Sequence, residues 1–172
     1  MAKKSDSFFI RAEVNLGHAA AYTQAEIDLG SFVNLGVSKS TLLRIHGIES
    51  QIVGASGEAP SMSANTAGTV AWQLTTQSQG AMVRLSDKSV AASAVYSCRN
   101  PDGAANAPTQ VWEFDVGPQD FTNGYLIGVD TMYLAGFADS DFTVDVYAVL
   151  MIECTLESAT QANSTALALS QQ

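Results

Sequence analysis

The sequence lacks the residue patterns by which most enzymes hold metals, phosphates or acyl groups. Its 172 residues include two histidines, His18 and His46, which belong to no ligand-spaced cluster. A G-x-S-x-G nucleophile elbow and a glycine-rich phosphate loop are both missing, because the similar stretch at 54–57 (GASG) is one residue short and lies between predicted strands. The sequence therefore predicts a protein that is not an enzyme, with no catalytic residue and no cofactor.

Cysteines and long apolar runs are also scarce. Cys98 and Cys154 each fall at an apolar-facing position of a predicted strand, which favours two buried thiols and leaves a disulfide between strands as the alternative. The longest purely apolar run, residues 148–152, is far shorter than the roughly 20 residues that span a bilayer. Residues 8–10 are apolar but are followed at once by Arg11, so no secretory leader is predicted.

Charge is sparse and mostly negative. Charged residues make up 15% of the chain, against an average of about 25% in soluble domains. Eight Lys and Arg oppose 17 Asp and Glu, for a net charge of −9. An acidic surface repels phosphate backbones, so direct sequence-specific nucleic-acid binding is not expected. The uncharged remainder suits assembly, because subunit interfaces exclude charge at their cores.

Period-two alternation of apolar and polar residues is the main positive signal, and it is typical of half-buried β-strands. It is clearest over residues 141–157, and it changes phase at Gly47, which predicts a β-bulge. The predicted strands cover residues 7–16, 25–29, 41–53, 70–74, 90–98, 112–116, 125–127, 131–137 and 141–157.

These strands, joined by loops of uneven length, predict an all-β fold: a single Greek-key jelly-roll sandwich or barrel of about eight strands. We expect it to occupy residues 1–158. Residues 159–172 form a C-terminal tail that either docks, for example as a short helix, or is mobile. A helical turn is also predicted near residues 79–87.

Two groups of residues are candidate sites. Tyr147, Val149 and Met151 are apolar on a strand face that is otherwise polar, which predicts an interaction surface covered by a loop or a neighbouring subunit. Asp139 and Asp141 flank a turn and are weak candidates for a calcium site, although a solvated Asp-rich turn is the preferred interpretation.

Three segments carry a resemblance to a known family: an opening strand at 7–16, a bulged strand at 42–48 and a long closing strand at 141–157. In these the chain resembles the single jelly-roll capsid proteins of tailless icosahedral viruses, above all the small subunits of membrane-containing double-stranded DNA viruses. The resemblance implies a structural subunit that is made in the host cytoplasm and located in the virion. It also implies self-assembly, other capsid proteins as partners, and an internal membrane.

Two other interpretations stay open. One is a non-enzymatic jelly-roll binding module, lectin-like or trimeric and receptor-binding, which recognises its ligand through loops. The other is a small metal-dependent barrel enzyme of the cupin type, for which the two isolated histidines are a poor fit.

Overall fold

Ten β-strands and one helix make up the computed structural model, which describes residues 2–3, 5–35 and 37–171, with the side chains of 5–35, 37–111 and 116–171. In chain order the elements are β1 (Ala2–Lys3), β2 (Phe8–Gly17), β3 (Thr23–Asp28), β4 (Lys39–Val53), β5 (Thr66–Thr75), β6 (Val90–Asn100), β7 (Thr109–Val116), β8 (Tyr125–Ile127), β9 (Thr131–Ala138), β10 (Val146–Thr160) and α1 (Gln161–Ser170). A 3-10 turn at Pro118–Asp120 precedes β8.

The strands form two antiparallel sheets that pack face to face. In the first sheet β2 and β1 lie along one edge of β10, and β4 and β8 follow on the other side. The second sheet has the order β3-β9-β5-β6-β7. The pairs β5–β6, β4–β8, β3–β9 and β2–β10 are nested, as in one long antiparallel hairpin rolled up until β10 meets β4 and β9 meets β5. This arrangement is a jelly roll, which confirms the predicted fold class.

The core lies between the two sheets and is built from alternate residues of each strand. Trp72 and Leu74 of β5 face Leu150 and Ala148 of β10, and all four side chains are completely buried. This confirms the core position predicted for every second residue of these strands.

A β-bulge in β4 keeps both halves of that strand in the core. Gly47 pairs with Glu153 and Ile45 pairs with Cys154, so His46 is the extra residue. Ile45 and Ile48 are both buried as a result, and the phase slip predicted at Gly47 is confirmed. Gln119 satisfies the strand edge beside the bulge, since its side-chain amide bonds to both the N–H and the C=O of Ile48.

Two predicted elements differ from the structure. The sequence predicts a last strand that starts at residue 141, whereas β10 begins at Val146, where it first pairs with β2, and its pairing with β4 begins at Tyr147. The residues before it bond to a loop instead, and the N–H of Thr143 donates to the C=O of Ser61 at 3.0 Å. The helical turn predicted at 79–87 is also wrong, because this segment is a loop tied to the second sheet by side chains.

Helix α1 lies on the outer face of the first sheet, over Leu42, which is only 1% exposed although its neighbour Leu43 faces the core. Thr160 caps its N-terminus by accepting from the N–H of Asn163. Beyond its C-terminus the side chain of Gln171 accepts from the N–H of Gly128 at 2.8 Å and donates to the C=O of Leu126 at 2.6 Å. The helix is thus fixed to the sheet at both ends.

Candidate assembly surface

Tyr147, Val149 and Met151 lie side by side on the outer face of β10, and we call these three residues the β10 patch. They alternate with the completely buried Ala148 and Leu150, so the pleat of the strand directs them away from the core. Met151 is 37% exposed. All three side chains therefore lie on the outer face of the first sheet, as the sequence predicts.

Charged residues surround the β10 patch. Glu13 of β2 pairs with Val149, while Arg11 and Glu49 pair with Met151 from opposite sides. Glu153 follows two residues further along β10 on the same face. Three carboxylates and one guanidinium give this rim a negative charge. A shallow groove of about 270 Å³ runs beside Val149 and Met151 within the rim.

A polar network borders the β10 patch at its Tyr147 end. Asn15 donates to the carboxylate of Asp145 at 2.9 Å and to the hydroxyl of Tyr147 at 3.2 Å, and His18 Nδ1 lies 2.7 Å from the other oxygen of Asp145. The hydrogen bond from Asn15, followed by that from His18, lowers the pKa of Asp145 below its ordinary value. The network links the β2–β3 loop to the β9–β10 loop.

A largely buried ion pair lies toward the other end of the same sheet face. Arg44 binds both carboxylate oxygens of Glu157, with Nη2 at 3.0 Å from Oε2, and also donates to the C=O of Asn123. The two side chains are 16% and 13% exposed. Next to them His46 Nε2 lies 2.8 Å from the hydroxyl of Thr155. These contacts hold the 121–124 loop against the sheet.

The Arg44–Glu157 pair gives a pH-dependent contribution to stability. The hydrogen bond from Arg44 lowers the pKa of Glu157 below its ordinary value of 4.5, against an opposing effect of burial. The stabilisation is therefore complete above pH 4.5 and is lost as pH falls through the lower pKa of the folded state. We expect Glu157→Gln to reduce the free energy of unfolding at pH 7 by about 1.5–3 kcal/mol, the range for a hydrogen bond to a charged group.

Urea titrations of both proteins at a series of pH values measure this effect. The difference between wild type and Glu157→Gln should shrink steadily in acid. Glu26→Gln, at an exposed position of β3, is the matched control and should stay near zero throughout. A constant difference across the whole pH range would contradict this assignment.

The two calcium candidates lie at the opposite end of the sandwich from α1, in the turn before β10. One oxygen of Asp139 accepts from the N–H of Thr69 at 2.6 Å, so this carboxylate closes the turn onto β5. Asp141 contributes its backbone C=O to Ser63. Across the described residues no group of three or more His, Cys, Asp or Glu side chains could hold a metal ion.

The two cysteines belong to the core. Cys98 and Cys154 are buried, free thiols, which confirms the preferred interpretation over a disulfide. Burial raises the pKa of Cys98 to about 11 and that of Cys154 to about 12, so both are uncharged at neutral pH.

No helix within the described part of the chain is long and apolar enough to cross a membrane.

A second surface feature could not be predicted from the sequence. An open depression of about 820 Å³ lies on the second sheet, where Thr69, Ser97 and Val111 of three adjacent strands meet. Arg99 is also at its edge, and Val111 is 67% exposed. Each residue alone looks like an ordinary outward position, and only the register of β5, β6 and β7 brings them together.

The nested strand pairs define a jelly-roll sandwich. The β10 patch lies on the outer face of its first sheet. Neither a family model nor a curated protein matches the chain. Solved structures of viral proteins are similar in fold. VP1 of Trichodysplasia spinulosa-associated polyomavirus, in complex with GM1 oligosaccharide, is 10% identical with a TM-score of 0.46, over 93% of this chain and 97% of that one.

Two further structures show a similar likeness. Apo VP1 of New Jersey polyomavirus is 9% identical with a TM-score of 0.43, over 90% of this chain and 100% of that one. The structure of Desmodium yellow mottle tymovirus is 7% identical with a TM-score of 0.35, over 93% and 91% of the two chains. At these identities the likeness concerns the fold alone.

Proposed function

We propose that this protein is a structural subunit of an icosahedral viral capsid and that it assembles through the β10 patch and other uncharged surfaces. One observation carries the proposal: three adjacent apolar side chains, Tyr147, Val149 and Met151, point outward from the middle of a sheet in a chain with only 15% charged residues. Contiguous outward apolar groups on a polar-rimmed face are typical of protein–protein interfaces.

The fold supports the same proposal. Jelly rolls are the folds of viral capsid domains, of lectins and of cupins. In this chain the loops at one end are bonded to one another: Met62 forms bridges with both Asn106 and Phe142, and the side chain of Asn100 donates to three loop carbonyls, including that of Met62. Loops fixed in this way suit a rigid building block, because little conformational entropy is lost when subunits pack.

The finer parts of the proposal follow from charge and from the family resemblance. We place the protein in the virion after synthesis in the host cytoplasm, with further copies of itself and other capsid proteins as partners. Its net charge of −9 disfavours direct contact with the genome. An internal membrane beneath the shell, as in tailless double-stranded DNA viruses, would separate the two.

Assembly of the full chain tests this proposal. We expect sedimentation velocity and negative-stain electron microscopy to show closed oligomers and larger particles, well above the 18.1 kDa monomer. Dissociation at low protein concentration should be reversible. A protein that remains monomeric at every concentration and salt condition would contradict the proposal.

The alternative function, a non-enzymatic binding module, has the depression on the second sheet in its favour. It offers hydroxyls from Thr69 and Ser97, a cation from Arg99 and an apolar contact from Val111, a combination that suits a polar ligand with an apolar face. A glycan array distinguishes the two functions. Binding by a discrete monomer or trimer, lost in Ser97→Trp, would favour the module over the shell subunit.

A further inference from the structure

The loop between β5 and β6 carries a positively charged projection, which we call the basic turn and define as residues 84–88. Arg84, Leu85 and Lys88 are exposed, and Leu85 is 52% exposed. The turn is closed by the N–H of Asp87, which donates to the C=O of Arg84 at 2.9 Å. The carboxylate of Asp87 points back to Ser89 and accepts from its N–H and hydroxyl. Because Arg84 and Lys88 outnumber this one carboxylate, the net charge of the turn is positive.

Gln73 ties the segment that leads into the basic turn to the second sheet. Gln73 lies on the outer side of β5, since its neighbours Trp72 and Leu74 face the core. Its side chain is nevertheless completely buried. Its Oε1 accepts from the N–H of Val83 at 2.8 Å, and its Nε2 donates to the C=O of Ala81 at 3.1 Å and to the hydroxyl of Tyr22 at 2.9 Å. A turn fixed in advance loses little entropy on docking.

The β10 patch is complementary to the basic turn in charge and in apolar character. Its rim carries Glu13, Glu49 and Glu153 against the single cation of Arg11. Its groove of about 270 Å³ is lined in part by Val149 and Met151. These two side chains offer an apolar contact for an aliphatic side chain flanked by cations.

The two surfaces lie on opposite outer faces of the sandwich, so one chain cannot bring them together. We propose that the basic turn of one copy docks on the β10 patch of a second copy, with Leu85 beside Val149 and Met151 and the two cations against Glu13 and Glu49. This inference rests on the proposed function and names the partner of the β10 patch. A contact between two different surfaces is head-to-tail, and such contacts build closed rings when the rotation closes.

Charge reversal tests the docking. The variant Arg84→Glu, Lys88→Glu places carboxylates against the acidic rim, and Glu13→Lys, Glu49→Lys places ammonium groups against the basic turn. We expect each variant to weaken assembly at least about tenfold in midpoint concentration, because like charges in contact are strongly repulsive. All four reversals in one chain restore the opposite signs and should recover assembly to within about threefold of wild type, since the pairs add to a common apolar contact.

The control is Lys39→Glu, Gln161→Glu, Thr165→Glu, which changes the net charge by as much as Arg84→Glu, Lys88→Glu does, at exposed positions outside both surfaces. It should assemble like wild type. Circular dichroism and thermal melting check that every variant is folded, and Leu85→Asn provides an uncharged variant that should also weaken assembly.

The outcomes separate this inference from the proposed function. If wild type assembles and the two reversal variants assemble equally well, the docking is wrong and the shell subunit stands. If each reversal weakens assembly but the fourfold variant does not recover it, the basic turn and the β10 patch do not contact each other and the inference is also wrong. If wild type itself is monomeric, the proposed function fails.

Discussion

Met151→Glu is expected to leave the protein folded and to abolish most of its assembly. Met151 is on the outer face of β10 and 37% exposed, so a carboxylate there remains hydrated in the free subunit. In an assembled interface the same carboxylate would lose its water at an apolar contact, beside Glu49 and Glu153 and with Arg11 as the neighbouring cation of its own subunit. Dehydration of a charge costs several kcal/mol, which a nearby cation offsets only in part, and each 1.4 kcal/mol is a factor of ten in affinity. We therefore expect the midpoint concentration for assembly to rise at least about a hundredfold.

Sedimentation velocity over a concentration series measures the midpoint, and a urea titration shows that the free energy of unfolding is little changed. Leu169→Glu is the control, because it adds the same charge at an apolar residue of α1 that is 66% exposed. Assembly of the control should match wild type. Equal assembly of Met151→Glu and wild type would remove the β10 patch from the interface.

The sequence contains enough information to predict the strands and the β10 patch because both depend on local alternation. A strand directs neighbouring side chains to opposite faces, so three apolar residues at every second position lie on one face wherever the strand is placed. The bulge at Gly47 follows from the same rule, since the apolar residues on either side of it are out of phase. Face and bulge could therefore be predicted without any knowledge of the partner strands.

Features that depend on long-range pairing could not be predicted. Gln73 alternates with Trp72 and Leu74, and by alternation it belongs on a solvated face. In the structure it is completely buried, because a loop that ends more than ten residues later folds back over it. The side chain of Gln73 bonds to the segment just before the basic turn, and no local pattern shows which loop will cover which strand.

The start of β10 and the end of the chain show the same limit. Residues 141–145 alternate as a strand does, but the ladders begin only at Val146, so the segment bonds to a neighbouring loop. The tail at 159–172 is compatible with either docking or mobility by composition. Its attachment depends on Gln171 meeting backbone groups of Leu126 and Gly128, which lie over 40 residues away.

Gly136→Ala is expected to be the most destabilising single methyl substitution in the second sheet. Gly136 pairs with Trp72 in the centre of the sheet, between β3 and β5. A Cβ at this position would lie 2.9 Å from the Cα of Trp72 and still closer to the carbonyl oxygen of Ala71. Both contacts are with backbone, so no side chain can turn away to relieve them. We expect the free energy of unfolding to fall by about 3 kcal/mol, at the upper end for overpacking.

Urea denaturation followed by circular dichroism measures this loss directly, and Gly103→Ala provides the matched control. Gly103 lies in the β6–β7 loop, where a Cβ would meet nothing within 4 Å. The same methyl group should there be neutral or stabilise the fold by a few tenths of a kcal/mol, because it restricts the unfolded chain without straining the folded one. The contrast isolates the close approach of β9 to β5 at this position. Equal stability of the two variants would show that the strands accommodate the added Cβ, and the close approach inferred here would be wrong.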